Sequence, residues 1–478
     1  LPGRGLYPLT LTATCGELTA EASSSIAIVF TPPPPDPASP WGIFFSPPAW
    51  VKTETDADPA AAAQSHRLLG AAWSRLNFWA GSFGKISIGE RDGKPYVTGD
   101  YANGKWKQYA KALRAEGISI MGEIAQCPSA LSSKEGDRLS DHGDAGEMQN
   151  RVKPRDYAEW DSLMENLARD FSEEIQYWEI WNEVNLVGGY WAGTQEELLE
   201  LVQHTSAALK RGNPNAKVLG CGFVGGLDYA DRMFELGMGK HIDILSVHYT
   251  DESPGIVERW RELLDKHGLN IPIWNSEERS EAPLYNLSSE IQRNFKFMHI
   301  HTGYEAFRLL VNADYTARPP AIWYSVGAHC IGVAKPAGVS DAIPGCKTYA
   351  FQRGDEQILA ISGHPLKSLL ATGAPTVAIA AEPLSPASPI TLTDRFGRSR
   401  ALALSEGEAA FVFDTSPLYI NGARSIRVVQ VQQAPEAEGL VAEAEEGSCS
   451  GGWGRNSKPG FSGDRVLELW SDKDPGPE

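Results

Sequence analysis

No apolar run in this 478-residue chain approaches the roughly 18 residues that a spanning helix needs, so no membrane helix is expected. Positive charge is scarce: 43 Lys and Arg stand against 61 Asp and Glu, a formal net charge of −18. That balance repels phosphate backbones and anionic lipid surfaces, so neither nucleic acid nor a membrane is expected as a partner. Cysteine is sparse, and Cys15, Cys127, Cys221, Cys330, Cys346 and Cys449 form no C-x-x-C pair, which removes the usual zinc frameworks. No metal or other cofactor is expected. Cys330 and Cys346 are close enough in sequence for a disulfide, and buried free thiols are the equal alternative. A glycine-rich phosphate turn after the first strand is also missing, and with it the usual mark of a nucleotide-binding doubly wound sheet.

What the chain does have is tryptophan, fourteen of them, and a long strand–helix alternation. Residues 1–33 read as N-terminal β-strands, part of or beside a β-sandwich, followed by the stiff spacer Thr31-Pro32-Pro33-Pro34-Pro35-Asp36-Pro37. From Trp41 the alternation begins. Strands are predicted at Trp41–Phe45, Trp73–Asn77, Ile118–Met121, Tyr177–Trp181, Val218–Cys221, Ile242–Val247, Ile271–Trp274 and Ala321–Tyr324. Asp58-Pro59 opens a helix as cap and first residue, Thr194 with Glu197 forms a capping box, and Gly117 ends the stripe Trp106, Tyr109, Ala110 and Leu113. A further helix is predicted over 288–308. Eight strand–helix units over 38–343 predict an α/β fold, a (β/α)8 TIM barrel. From 344 to 432 short alternating runs such as Gln357–Ile361, Thr376–Ile379, Ile390–Thr393 and Ala410–Phe413 predict an accessory β-sandwich domain. Residues 440–478 read as the start of a further β-domain cut short, or as a polar tail.

In a barrel the carboxyl ends of the strands build the site. Those ends carry Arg75 and Asn77, Glu123 and Gln126, Asn182 and Glu183, His248 and Tyr249, Asn275, Glu277 and Glu278, and Trp323 with Tyr324. The run Tyr177-Trp178-Glu179-Ile180-Trp181-Asn182-Glu183 is the most telling, because it ends a buried strand on a carboxylate that is costly to place without a task. Glu183 and Glu277, on strands four and seven, are expected to face each other across the mouth. That pair is what retaining glycoside hydrolysis needs, one carboxylate as nucleophile and one as proton donor then acceptor. Glu278 stands beside Glu277 as the alternative nucleophile by strand alternation. Tyr190 and Trp191 line a sugar subsite or pack a loop, two readings the residues leave open.

These motifs resemble the clan A glycoside hydrolases, and family 39 with its β-xylosidases in particular. Trp181-Asn182-Glu183 is similar to their fourth-strand motif, and Asn275-Ser276-Glu277 to their seventh. Val184 stands where that family usually has Pro, and Glu278 where it often has Trp. The resemblance implies Glu183 as acid/base, Glu277 as nucleophile, Arg75 orienting the nucleophile, Asn182 on the sugar 2-hydroxyl, the His248–Tyr249 pair, and Trp323 as floor of the first sugar subsite. It implies an oligosaccharide or polysaccharide partner and a secreted or periplasmic protein. The start Leu1-Pro2-Gly3-Arg4 lacks Met and a signal-peptide pattern and reads as a trimmed or processed end. A catalytically silent sugar-binding barrel and a clan A endo-acting glycanase of another family are the competing readings.

Overall fold

A computed structural model describes residues 3–15, 18–45, 58–102, 104–134, 148–186, 189–298, 310–311, 317–363, 375–413 and 416–432, and the backbones of 453–457 and 465–469. It divides into two compact units, Leu6–Val333 and Ala334–Glu478 with Leu1–Gly5.

The larger unit is a closed barrel of eight parallel strands. In chain order they are Trp41–Phe45, Trp73–Phe78, Ser119–Ile124, Ile175–Ile180, Lys217–Val224, Ile244–His248, Ile273–Glu278 and Ile291–Phe297. Helices follow them, among them Pro59–Leu69, Lys105–Ala115, Tyr157–Asp170, Gln195–Gly212 and Ile256–Lys266. The Asp58 carboxylate caps the first of these at Ala60, with Pro59 in its first turn. The Thr194–Glu197 capping box is complete, each side chain meeting the other's backbone N–H. Residues Gly5–Cys15 and Leu18–Ile28 pair with each other as a separate two-stranded sheet.

Strand eight departs from the sequence expectation. Ala321–Tyr324 lies inside the helix Pro319–Ile331, and the closing strand is Ile291–Phe297, within the stretch expected to be helical. That strand pairs with strand seven on one side and with Trp41–Phe44 on the other. A four-residue apolar run such as Ala-Ile-Trp-Tyr does not distinguish strand from buried helix by periodicity. Here Pro319 and Pro320 occupy the first helical turn, and the helix is buried along most of its length. Tyr324 packs edge-on against Trp41 at 5.2 Å and donates to the Gly42 carbonyl at 3.1 Å, so the helix covers strand one. Trp323 is therefore a helical residue and not a strand-eight subsite floor. The remainder of the expected 288–308 helix, from 299 on, lies outside the described residues.

Inward positions follow the two-residue period. The amino-terminal end of the barrel is filled by Trp73, Tyr177 and Trp274, mutually about the same distance apart, with ring centroids 5.1 Å from one another. The Arg293 guanidinium lies over Trp73 and Trp274 at 5.1 and 5.5 Å. Above this apolar plug the inward side chains turn polar: Arg75, Glu123, Glu179, Ser246 and Ser276 are all fully buried.

The smaller unit is an antiparallel eight-stranded sheet around its own apolar core, which includes Ile361, Val377, Ile379, Phe411 and Ile420. Its longest strand, Leu418–Gln432, pairs with Glu356–Gly363 and Ile390–Asp394 through its first residues and with Thr376–Pro383 through the rest. The switch falls at Gly422, where φ is 94° and a Cβ would sit 2.4 Å from the Pro389 carbonyl, so glycine is required there. Asp394 turns the chain by accepting the N–H groups of Phe396 and Arg398. In the tail, Trp453–Ser457 and Arg465–Leu469 pair as two antiparallel strands. Cys330 and Cys346 are both free thiols.

Candidate active site

The carboxyl ends of strands four and six carry non-glycine residues of positive φ, Trp181 at 65°, Glu183 at 43° and Tyr249 at 55°, and Cys221 within strand five has a φ of 45°. Such backbone costs on the order of 1–3 kcal/mol per residue and tends to collect where side chains must be aimed. Here it carries Glu183 and Tyr249 over the mouth.

Strand seven uses a different device. Its register against strand six shifts after Val247, so that Val247 meets Asn275 but His248 meets Glu277. With strict alternation Trp274, Ser276 and Glu278 would all point inward. The shift instead puts Ser276 and Glu277 both inside. Glu278 turns outward, where Asn275, Asn286 and the backbone N–H groups of Asp251, Arg279 and Ser280 donate to it. The alternative nucleophile is thus held in a structural cluster on the far side of the strand.

Arg75 lies at the centre, fully buried. Its Nη1 donates to Glu277 Oε1 at 2.5 Å, its Nε to Glu179 Oε2 at 2.8 Å and its Nη2 to Asn182 Oδ1 at 3.1 Å, and Nη2 ion-pairs with Glu123 at 2.7 Å. Burial opposes the guanidinium charge, but the three carboxylates Glu123, Glu179 and Glu277 more than offset it. Tyr249 donates its hydroxyl to Glu277 Oε2 at 2.7 Å. His248 Nδ1 lies 3.0 Å from Glu183 Oε1 and 3.7 Å from Glu277 Oε2.

The two mouth carboxyls are pushed in opposite directions. Burial raises Glu183 above the usual carboxylate range, and the Glu277 charge adds to this against the pull of His248 and Arg75. Burial would raise Glu277 too, but His248, Arg75 and the Tyr249 hydroxyl outweigh it and hold the group below its ordinary value. One oxygen of each carboxyl and a nitrogen of His248 lie within 4.8 Å of one another. The same three groups, among the described residues, could ligate a metal ion; doing so would occupy the lone pairs that proton and glycosyl transfer would use.

Arg75, Asn182, Glu183, His248, Tyr249 and Glu277 thus come together, from strands two, four, six and seven. A family model described as "Glycosyl hydrolases family 39" matches residues 113–257, the segment from strand three through strand six. The chain resembles family 39. A β-xylosidase of Caldicellulosiruptor saccharolyticus is 34% identical over 111 residues, a match spanning 22% of this chain and 22% of that relative. Among solved structures, a family 39 glycoside hydrolase from the gut symbiont Bacteroides cellulosilyticus WH2 superposes with a TM-score of 0.65 at 14% identity, covering 88% of each chain. A monomeric β-xylosidase from Caulobacter crescentus CB15 gives a TM-score of 0.58 at 15% identity over 82% of this chain and 97% of that one. At such identities the structural likeness speaks for the fold. The family 39 segment carries Asn182, Glu183, His248 and Tyr249 but ends before Glu277 and starts after Arg75.

Two expected residues lie elsewhere. Trp323 is on the helix described above. Trp191 is buried edge-on against Trp181 at 5.2 Å and donates to the Thr194 carbonyl, which is loop packing. Sequence reasoning passed over Glu179 as part of a motif, although its position two residues from Tyr177 and Trp181 marks it as inward. It also passed over the half-buried Trp79, whose ring meets Tyr190 at 5.4 Å beyond the ends of strands two and four.

Proposed function

We propose that this chain is a retaining glycoside hydrolase acting on a β-linked glycan, with Glu277 as nucleophile and Glu183 as acid/base. The observation that carries the reading is the approach of the two carboxyls, oxygen to oxygen within 4.8 Å. Retention needs carboxyls about 5–5.5 Å apart, whereas inversion needs roughly 6.5–9.5 Å to admit a water between them. The opposite pushes on the two groups support the same roles, since the acid must hold a proton while the nucleophile is ionised.

In the first step a Glu277 oxygen bonds to the anomeric carbon, the glycosidic C–O bond breaks, and Glu183 gives its proton to the departing oxygen. The Glu183 carboxylate then takes a proton from water, whose oxygen bonds to the anomeric carbon and releases Glu277. Arg75 and Tyr249 bind one Glu277 oxygen each, which aims the carboxylate and keeps it ionised. Asn182 accepts from Arg75 Nη2 through its Oδ1 and has its amide N–H2 to offer a sugar 2-hydroxyl. Trp79 and Tyr190 supply faces for stacking a further sugar ring. A β-xyloside is the leading substrate class, supported by the name of the curated relative.

Aryl β-glycosides, β-xylosides first, test the proposal. Glu277→Gln is expected to abolish turnover. Glu183→Gln is expected to keep kcat/KM on activated phenols, whose departure needs no proton, to lose it on poor leaving groups, and to lower kcat on both because the attacking water lacks its base. Full activity in Glu277→Gln would refute the nucleophile assignment, and a wild type that binds glycans but cleaves none would favour the silent sugar-binding barrel.

A further inference from the structure

Double displacement leaves two buried carboxyls of the mouth, Glu123 and Glu179, without a part. Glu123 meets Arg75. Glu179 does more. Its Oε2 accepts from Arg75 Nε, while its Oε1 accepts the hydroxyls of Ser246 and of Ser276, the latter at 2.7 Å. The Ser276 oxygen lies 2.9 Å from His248 Nε2, and His248 Nδ1 lies 3.0 Å from Glu183 Oε1. A continuous chain of hydrogen bonds therefore runs from Glu179 through Ser276 and His248 to the acid/base.

The chain has a direction. A carboxylate only accepts, and Glu179 draws the Ser276 hydrogen toward itself; the Ser246 hydroxyl, 2.7 Å from the Ser276 oxygen, gives its own hydrogen to the same Glu179 oxygen. The Ser276 lone pair then faces Nε2, which has to carry a hydrogen. In the neutral ring Nδ1 carries none. Any proton between Nδ1 and Glu183 is a shared one, borne either by the carboxyl or by the imidazolium.

We propose that Glu179, acting through Ser276, is a positioning residue that fixes the His248 hydrogen on Nε2, so that Glu183 and His248 hold in common the one proton delivered to the leaving oxygen. The inference rests on the reading of Glu183 as acid/base. With the other tautomer, a neutral His248 would donate Nδ1–H to the Glu183 carboxylate and stabilise it deprotonated. Fixing Nε2–H removes that state, so the acid keeps its proton to higher pH. The groups facing His248 are Glu183, Glu277 at 3.7 Å, Glu179 at 4.0 Å, the Arg75 guanidinium and the Tyr249 phenol, with ring centroids 5.7 Å apart for the last. From strand five Gly222 closes on Nε2, where an added Cβ would lie 2.6 Å away. Burial would lower the His248 imidazole, and the Glu277 and Glu183 carboxylates reverse this and raise it, in keeping with a proton held between ring and carboxyl.

Ser276→Ala removes the link without touching Arg75, which Glu179→Gln would disturb along with the fold. Nitrogen-15 histidine spectra of the full chain, with the His248 signals assigned by their loss in His248→Asn, read the tautomer directly. Wild type is expected to show Nε2–H, Ser276→Ala to lose it in favour of Nδ1–H, and Ser276→Thr to restore it. In kcat/KM profiles on a poor-leaving-group aryl glycoside, Ser276→Ala moves the basic limb down by about one pH unit, about tenfold at a given alkaline pH, and leaves the acidic limb in place. The loss is larger on poor leaving groups than on activated phenols. An unchanged histidine spectrum, or equal losses on both substrates with an unmoved limb, overturns the proposal. If wild type cleaves no glycoside, the hydrolase reading fails, and the tautomer in the spectra still decides for or against the relay.

Discussion

Replacing Arg75 by glutamine removes the common cation of three buried acidic side chains, Glu123, Glu179 and Glu277, of which burial pushes Glu123 well above the usual carboxylate range. Arg75 and Glu179 are fully buried and Glu277 nearly so, so solvent cannot take over the guanidinium's role. Breaking a buried ion pair by deleting one partner costs about 3–5 kcal/mol, most of it from the charge left behind. A glutamine amide can still donate to one of Glu179, Glu277 or Asn182, which places the expected loss near the lower end, about 3 kcal/mol. The loss should depend on pH. In the wild type Glu277 has a depressed folded pKa, so its contribution to stability is present above the unfolded carboxylate value and is lost as pH falls through the folded one. In the variant that contribution is gone, and Glu277 titrates higher because a buried carboxylate without its cation binds a proton more readily. The gap between wild type and variant is therefore widest near neutrality and narrows on acidification. Denaturant unfolding of both proteins at neutral and at mildly acidic pH measures it. Equal unfolding midpoints at neutrality, or a gap that widens with acid, would refute the account of Arg75 as the cation that holds this cluster.

Tyr249→Phe removes one donor to Glu277, a hydrogen bond to a charged group of about 1.5–3 kcal/mol, and should lower kcat/KM about tenfold or more while moving the acidic limb of the profile to higher pH. The wild-type profile itself should be a bell, falling on the acid side as Glu277 gains a proton and on the basic side as Glu183 loses one. Glu278→Gln should lower the melting temperature, because it disturbs the acceptor of Asn275, Asn286 and three backbone N–H groups, yet keep far more turnover than Glu277→Gln; the reverse order of activities would mean that the strand-seven register is misread. Gly222→Ala, at φ 57° and against His248 Nε2, should cost about 1–2 kcal/mol in folding and depress kcat more than KM, as measured by melts and steady-state kinetics.

Much of this protein was decided by the sequence alone. The alternation of apolar strands with capped helices, Asp58-Pro59 and Thr194 with Glu197 among the caps, is local chemistry and needs no partner to be read. Inward positions such as Trp73, Arg75 and Tyr177 follow from a two-residue period. The Trp181-Asn182-Glu183 step marks a candidate site because a carboxylate ending a buried strand is costly without a role.

Tertiary structure decided the rest. Which of Glu277 and Glu278 enters the mouth depends on one register shift against strand six, a property of the pairing and of neither strand by itself. Strand eight was misplaced because a short apolar run fits a buried helix as well as a strand, and only barrel closure by Ile291–Phe297 against Trp41–Phe44 distinguishes them. The path from Glu179 through Ser276 and His248 to Glu183 joins residues 28 to 97 positions apart, and its hydroxyl and imidazole can each donate or accept. Only their approach inside the barrel selects one direction for those hydrogens, because a hydrogen bond's sense is set by its neighbours and not by the residue that makes it.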